Sequence, residues 1–123
     1  MIAISPLQSI HLCCTPVDMR KSIDGFCAIV RNHFKKDPLR DGVFVFVNKP
    51  GNKMKILIWD RHGYWLLYKR LEEGKFQMPP IESNGELTSN ELCIAYEQLV
   101  MIIEGIDLTT VKRRKRYAAP SNL

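Results

Sequence analysis

The sequence lacks the patterns that mark most membrane-spanning, secreted and metal-binding proteins. No apolar run approaches the roughly 20 residues that a membrane-spanning helix needs. The N-terminus has no basic segment followed by a long apolar core, so we expect no secretory signal there. The four cysteines form no C-x-x-C pair and the three histidines are scattered, which argues against a zinc site. We expect a cytoplasmic protein with reduced, mostly buried thiols, no metal, no cofactor and no membrane partner.

Catalytic patterns are equally scarce. There is no glycine-rich phosphate loop, and no serine, cysteine or carboxylate partner is indicated beside His62. A two-metal nuclease needs converging carboxylates. Asp18 and Asp24 are six residues apart on a predicted helix and do not share a face, while Asp60 fits a turn. The sequence therefore predicts that the protein is not an enzyme, and a metal-dependent nuclease is the less favoured alternative.

Charge is unevenly distributed along the chain. The net charge of +5 comes from 18 basic and 13 acidic residues, and five of the basic ones are consecutive; 18 − 5 = 13, so this run carries the whole excess. Residues 82–111 hold six acids and no lysine or arginine. Consecutive cations favour phosphate contacts. The alternatives are a solubilising tail or one folded back on the acidic segment. The residues predicted to bind nucleic acid are Lys112, Arg113, Arg114, Lys115 and Arg116 in the tail, with Arg20, Lys21, Lys69 and Arg70 as a second patch.

Apolar periodicity and turn residues predict an α+β domain over residues 1–110, followed by a flexible basic tail over 111–123. A short strand over 9–14 precedes a helix that begins at the N-cap Thr15 and runs to Phe34. Three strands follow, over 43–47, 54–59 and 64–71, joined by a type II and a type I turn. A fourth short strand is an option near 75–78. A capping box of Thr88 and Glu91 begins a last helix that ends at Gly105. We expect an antiparallel meander of three to four strands packed against two helices.

The two predicted faces of the meander differ in chemistry. One face is aliphatic, includes Trp65 and Leu67, and is expected to be the core beneath the helices. The other mixes aromatic and basic side chains. This aromatic face is covered by the second helix or by a second copy, or else it stacks bases and holds phosphates. The side chains predicted to form a partner surface are Trp59, Tyr64, Tyr68, Asp18 and Asp24.

Three ordered blocks of the sequence resemble a known family. Residues 17–25, VDMRKSIDG, resemble the "DMRKSIDGL" signature of the small accessory protein of IS66-type bacterial insertion sequences, also called TnpB or the second open reading frame product. Residues 44–57 look like its "LFVFxNRRxxRIKIL" strand pair, and residues 59–76 look like its "WWDGxGFxLxYKRLExGRF" block. Ile58 and Arg61 stand where a Trp and a Gly are common, which makes this turn more basic.

The resemblance implies a protein that is encoded beside a large transposase and assists transposition without cutting DNA. It implies DNA or the transposase as partner, and no catalytic residues carry over. Our interpretation is a non-catalytic accessory protein that contacts DNA, the transposase or both. The alternative is a protein-interaction module without DNA affinity, with its groove at the aromatic sheet face or at 17–25. The sequence leaves self-association open.

Overall fold

A five-stranded sheet lies between two helices in the structure, which is a computed structural model describing residues 4–79 and 91–105. The strand order is β4-β3-β2-β1-β5. The predicted tail, including Lys112–Arg116, lies outside the described residues, as does Thr88. The elements are β1 (Ile10–Cys13), α1 (Ile23–Asn32), β2 (Val43–Val47), β3 (Lys53–Asp60), β4 (Gly63–Arg70), β5 (Glu91–Ile94) and α2 (Tyr96–Glu104).

The α+β class and the central part of the meander are confirmed. Strands β2, β3 and β4 pair antiparallel, with Phe44 opposite Leu57 and Lys55 opposite Tyr68. The sheet is mixed, however, because β1 pairs parallel to β2 and antiparallel to β5. The prediction of a purely antiparallel meander is therefore wrong. Parallel neighbours need a long crossover connection, and the segment containing α1 provides it.

The first helix begins later than predicted, because the residues before it satisfy their polar groups in a loop. The Val17 amide donates to the Val47 carbonyl at 3.0 Å, which extends the contact with β2. The Asp18 carboxylate accepts from the Arg20 amide at 2.9 Å. Aspartate side chains that bond to nearby backbone in this way compete with helix formation. Ser22, rather than Thr15, occupies the N-cap.

The second helix also begins later than predicted. Glu91–Ile94 form β5 because they pair with the edge of β1 that β2 leaves unpaired, where Leu92 lies opposite Leu12. The helix starts after Ala95, whose amide donates to the Gln98 side chain at 2.8 Å. Gly105 ends it in the left-handed conformation, as expected. Residues 75–78 form no strand; the Phe76 amide donates to the Gly51 carbonyl and the Phe76 ring is buried.

Each face of the sheet carries its own core, and the alternation predicted for β2 and β3 is confirmed. The placement of the helices differs from the prediction, because α1, rather than the second helix or another copy, covers the aromatic face. The α2 face buries aliphatic side chains from the sheet and the helix: Ile10, Leu12, Val43, Val45, Val47, Met54, Ile56, Ile58, Ile94, Leu99 and Ile102, with Phe76. The α1 face buries Cys13, Val17, Phe26, Cys27, Val30, Phe34, Phe44, Phe46 and Leu57.

Two positions have backbone conformations that constrain the sequence. Gly42 has φ +116°, and a Cβ there would overlap the Ser9 carbonyl oxygen, so β1 and β2 can approach only around glycine. Arg61 has φ 53°, and the His62 amide donates to the Asp60 carbonyl. The positive φ at Arg61 excludes the predicted type I turn, which requires negative φ there, and suits the two-residue connection between the paired residues Asp60 and Gly63.

The edge strand β4 leaves large side chains in solvent. Trp65 is 46% exposed, although its alternation places it on the α2 face. The prediction that Trp65 faces the core is wrong, because the strand lies at the border of the sheet. The cysteines are free thiols; Cys13 and Cys27 are buried, whereas Cys93 is exposed. In the part of the chain that the structure describes, no helix has the length and apolarity needed to cross a bilayer.

Candidate nucleic-acid and partner interface

The loop over residues 17–22 is fastened to the aromatic face by one lysine. The Lys55 Nζ donates to the Met19 carbonyl at 2.6 Å and lies 3.5 Å from the Lys21 carbonyl. The same ammonium sits 5.7 Å from the centre of the Phe26 ring and 5.4 Å from that of Tyr68. A cation over aromatic faces is attracted by the ring quadrupoles. Lys55 therefore joins the 17–22 loop, α1 and β4.

Asp18 and Arg20 form a fork within this loop. The Arg20 Nε and Nη2 atoms donate to the Asp18 carboxylate, with the shortest contact at 2.7 Å. The hydrogen bonds from the Arg20 side chain and then from its amide hold the pKa of Asp18 well below its usual range. The Arg20 side chain is 91% exposed. Its remaining nitrogen, Nη1, makes no contact among the described residues and can donate to an incoming acceptor.

Tyr68 and Arg70 bring β4 into the same surface. Tyr68 lies opposite Lys55 and Arg70 lies opposite Lys53, so both side chains are on the α1 face. The Tyr68 ring is 52% exposed. The Arg70 Nη2 donates to Glu72 at 2.8 Å, an exposed contact that solvent weakens. The surface that unites these groups, named the basic patch below, consists of Arg20, Lys21, Lys55, Tyr68 and Arg70.

Lys69 was predicted to join Arg70 in one patch, but the structure places it on the opposite face. Its Nζ donates to the Ile103 carbonyl at 3.1 Å, near the end of α2. That helix has no basic residue in its last turn. A cation at a helix C-terminus stabilises the helix dipole. Lys69 therefore supports α2 and does not contribute to the basic patch.

The basic patch does not include the remaining residues of the predicted partner surface, which are Asp24, Trp59 and Tyr64. Asp24 is exposed in the first turn of α1. Trp59 packs edge-on against Tyr64, with ring centres 5.0 Å apart. The Tyr64 hydroxyl is buried beside Cys27, and burial, followed by the Cys27 contact, raises its pKa to about 12. Tyr64 thus offers little polar surface to a partner.

Trp59 borders a cleft at the opposite end of the sheet from the basic patch. The cleft encloses about 400 Å³ and is lined by Leu7, Gln8, Ser9, Leu39, Arg40, Asp41, Gly42 and Trp59. Leu7 is 96% exposed, and Leu39 is also exposed. The exposed lining of the cleft is mainly polar, and the two leucines are the apolar side chains at its border that a partner could bury.

Two side-chain roles were missed by the sequence analysis. The alternation of β3 assigned Lys55 to the aromatic face. Its bond to the Met19 carbonyl was not predicted, because it depends on the conformation of a loop that is distant in the sequence. His11 is buried and stacks on Phe44, with its Nε2 donating to the Asp41 carbonyl at 2.7 Å. Its Nδ1 lies 3.4 Å from Glu91, which also meets Lys36 at 3.3 Å. A lone histidine in a short apolar strand gave no signal for this contact.

The described residues offer no obvious metal centre. No group of three or more His, Cys, Asp or Glu residues within 4–79 and 91–105 is arranged to hold a metal ion. Asp18 is bound by Arg20, and Asp60 accepts the indole N–H of Trp65 at 3.1 Å. Two of the carboxylates considered for a nuclease, Asp18 and Asp60, are therefore occupied in local contacts.

The sequence of the chain matches a known protein family. A family model described as "IS66 Orf2 like protein" matches residues 8–113. The chain is 32% identical over 114 residues to the uncharacterized protein y4jC of Sinorhizobium fredii (strain NBRC 101917 / NGR234), covering 93% of this chain and 92% of that relative. It is 31% identical over 90 residues to the uncharacterized protein y4hO of the same strain, with 73% of each chain covered. No solved structure matches the chain.

Proposed function

The chain belongs to the family of IS66 Orf2-like proteins, and on this premise we propose that it is a non-catalytic accessory protein of insertion-sequence transposition that binds DNA. The element's transposase is a second proposed partner, which the family suggests. The observation that carries DNA binding is the basic patch, where Lys55 lies 5.4 Å from an exposed tyrosine ring and also bonds to the loop that carries the exposed Arg20 and Lys21.

The patch has the two kinds of contact that nucleic-acid binding uses. The cations of Arg20, Lys21 and Arg70 can pair with phosphates, and such contacts fix the position of a protein on the duplex. The half-exposed ring of Tyr68 can stack on an unpaired base or pack against a sugar. Sequence specificity would come from other contacts, because phosphates carry no sequence information.

Lys55 prepares the patch for binding. By holding the Met19 carbonyl at 2.6 Å, it fixes the loop that carries Arg20 and Lys21 before DNA arrives. An ordered loop loses less conformational entropy on binding than a free one. The tail residues Lys112–Arg116 would add sequence-independent attraction, with a steep dependence on salt.

Fluorescence anisotropy with a duplex of about 25 base pairs, titrated from about 50 to 200 mM salt, tests this proposal. The double variant Arg20→Ala/Lys21→Ala should bind about tenfold more weakly, and the slope of log affinity against log salt should fall by about 2, because two phosphate contacts are lost. Arg113→Ala/Arg114→Ala should have an effect of the same kind and reports on the tail separately.

The matched control is Arg31→Ala/Arg40→Ala. It removes the same charge from exposed positions at the C-terminal end of α1 and beside the Trp59 cleft, away from the patch. Equal losses in the patch variant and this control would show that only net charge matters and would contradict a localised site. Metal-dependent nicking that disappears in Asp18→Ala or Asp60→Ala would contradict the non-catalytic role.

A protein-interaction module is the second candidate, and the cleft at Trp59 favours it. Exposed Leu7 and Leu39 beside that cleft could accept an apolar side chain of the transposase. Its groove cannot be the centre of the aromatic sheet face, because α1 covers it. Capture of the purified transposase that is lost in Leu39→Asp, with no DNA binding at low salt, would support this candidate.

A further inference from the structure

We propose that two copies of the chain pair through their β4 strands, antiparallel and about a two-fold axis beside Leu67, into one continuous sheet. Strand β4 is the border of the sheet, is eight residues long and pairs with β3 at every position without a bulge. It contains no proline, and its charges are confined to Lys69 and Arg70 at one end. Long, regular and largely uncharged edge strands are templates for pairing with another strand.

The backbone groups that face outward can be identified from the ladder. The Leu71 amide donates to Asn52 at 2.7 Å, so the amide of residue 71 points toward β3. Backbone direction alternates along a strand, so the amides and carbonyls of Tyr64, Leu66, Tyr68 and Arg70 point away from β3. Among the described residues, no other backbone hydrogen bond involves these four.

A second copy fits this edge better than an arbitrary peptide because the strand complements itself. With the axis beside Leu67, Leu66 pairs with Tyr68 of the second copy and Tyr64 pairs with Arg70 of the second copy. All four outward-facing residues of each copy are then used, giving about eight backbone hydrogen bonds. An axis beside Leu66 would leave the outward groups of Arg70 opposite the His62 turn and make fewer bonds.

Charge complementarity selects the same register. The aromatic half of the strand meets the cationic half, with Trp65 opposite Lys69 of the second copy. This register also places the turn that carries Arg61, before β4, at the same end of the paired strands as the segment after β4 that carries Glu73 of the second copy. Both residues are exposed, and neither has a side-chain partner among the described residues. A parallel arrangement would instead place lysine beside lysine.

Sedimentation velocity of the full-length protein across the micromolar range tests this assembly. The wild-type chain should sediment as a dimer, and Arg61→Glu and Glu73→Arg should each raise the dimer dissociation constant about tenfold through like-charge repulsion at two symmetric contacts. A mixture of these two single variants should restore the dimer, because each opposite charge then meets its complement. A mixture that stays monomeric would overturn the register.

Backbone pairing is tested separately at Tyr68, whose amide faces outward. Tyr68→Pro removes that donor without touching the β3 ladder and should yield monomers, whereas Tyr68→Ala keeps the amide and should remain dimeric. Where Tyr68→Pro fails to fold, the charge-swap mixture still decides the question. A wild-type chain that is monomeric throughout, or a Tyr68→Pro dimer as tight as the wild type, would overturn the proposal. None of these measurements requires DNA, so they stand apart from the proposed function.

Discussion

The α2 face of the sheet is closed by aliphatic side chains, whereas the α1 face is closed by phenylalanines and carries an ammonium among its aromatic rings. On the α2 face, Lys69 reaches the last turn of the helix and bonds to the Ile103 carbonyl. On the α1 face, Lys55 bonds to the Met19 carbonyl in a loop before the helix. Each lysine thus donates to a backbone carbonyl, but Lys69 contacts the end of a helix and Lys55 contacts a loop.

The comparison shows that a lysine bonded to a backbone carbonyl can stabilise a helix on one face of the sheet and hold a candidate binding loop on the other. Lys69 compensates backbone carbonyls at a helix end, and its removal affects that helix. Lys55 is half-buried between two rings and holds a loop whose remaining charges are exposed. We therefore expect changes on the α1 face to alter stability and binding together, and changes on the α2 face to alter stability alone.

Phe46→Ala should have the largest effect on the α1 face. Phe46 is fully buried and its ring centre lies 4.6 Å from that of Phe26, so truncation opens a cavity beneath the helix. We expect a loss of about 3–5 kcal/mol in the free energy of unfolding, measured by urea denaturation. Val45→Ala, its neighbour on the α2 face, should cost less because fewer atoms are removed. Equal losses would contradict a larger aromatic contribution.

Lys55→Met should be the most informative change on the α1 face. The variant keeps an apolar stem but leaves the Met19 and Lys21 carbonyls without their donor, so we expect a loss of about 1–2 kcal/mol. Amide exchange at Arg20 and Lys21 should quicken, and DNA affinity should fall. Lys53→Met, on the same face of the same strand, is the control; if both variants lose equal affinity, loop positioning is not the cause.

Lys69→Met should have a smaller effect, confined to α2. Removing the cation near the Ile103 carbonyl should cost about 0.5–1 kcal/mol and speed amide exchange in the last helical turn. DNA affinity should change no more than in the Arg31→Ala/Arg40→Ala control. A loss of DNA affinity as large as that of Arg20→Ala/Lys21→Ala would instead show that Lys69 belongs to the binding surface, and it would contradict the contrast between the two faces.

The smallest effect concerns acid pH. Because the folded pKa of Asp18 is lowered by Arg20, the contribution of this contact is present above the unfolded pKa of about 4 and is lost as pH falls through the folded pKa. Carboxyl titration by NMR should show Asp18 ionised well below pH 4, with its pKa rising toward the ordinary value in Arg20→Ala. An unchanged titration in that variant would show that Arg20 is not the cause.

The sequence predicted those parts of the fold that local rules control. Alternation and turn residues located β2, β3 and β4 and assigned Val45 and Phe46 to opposite faces. The short strand near Ile10 and the helix end at Gly105 were also recognised. These features depend on neighbours within a few residues, where side-chain period and backbone preference decide the outcome.

Partners far apart in sequence decided the rest. Glu91–Ile94 carry a helical apolar pattern but pair with β1, which lies 78 to 84 residues earlier in the chain. The residues around Asp18 fit a helix start, yet Val17 bonds to Val47 and Lys55 holds the loop. Alternation along β4 does predict that Lys69 and Arg70 lie on opposite faces of the sheet. They were nevertheless assigned to one patch because they are adjacent in the sequence.

At Arg61, the stability of the folded chain and the pairing of two copies favour different residues. An arginine held at φ 53° adopts a conformation that glycine reaches without strain, so Arg61→Gly should stabilise the folded chain by about 1 kcal/mol. The same change removes the cation that would meet Glu73 of a second copy. Melting temperature and dimer affinity should therefore move in opposite directions in one variant, a trade-off in which the less strained hairpin is the poorer partner.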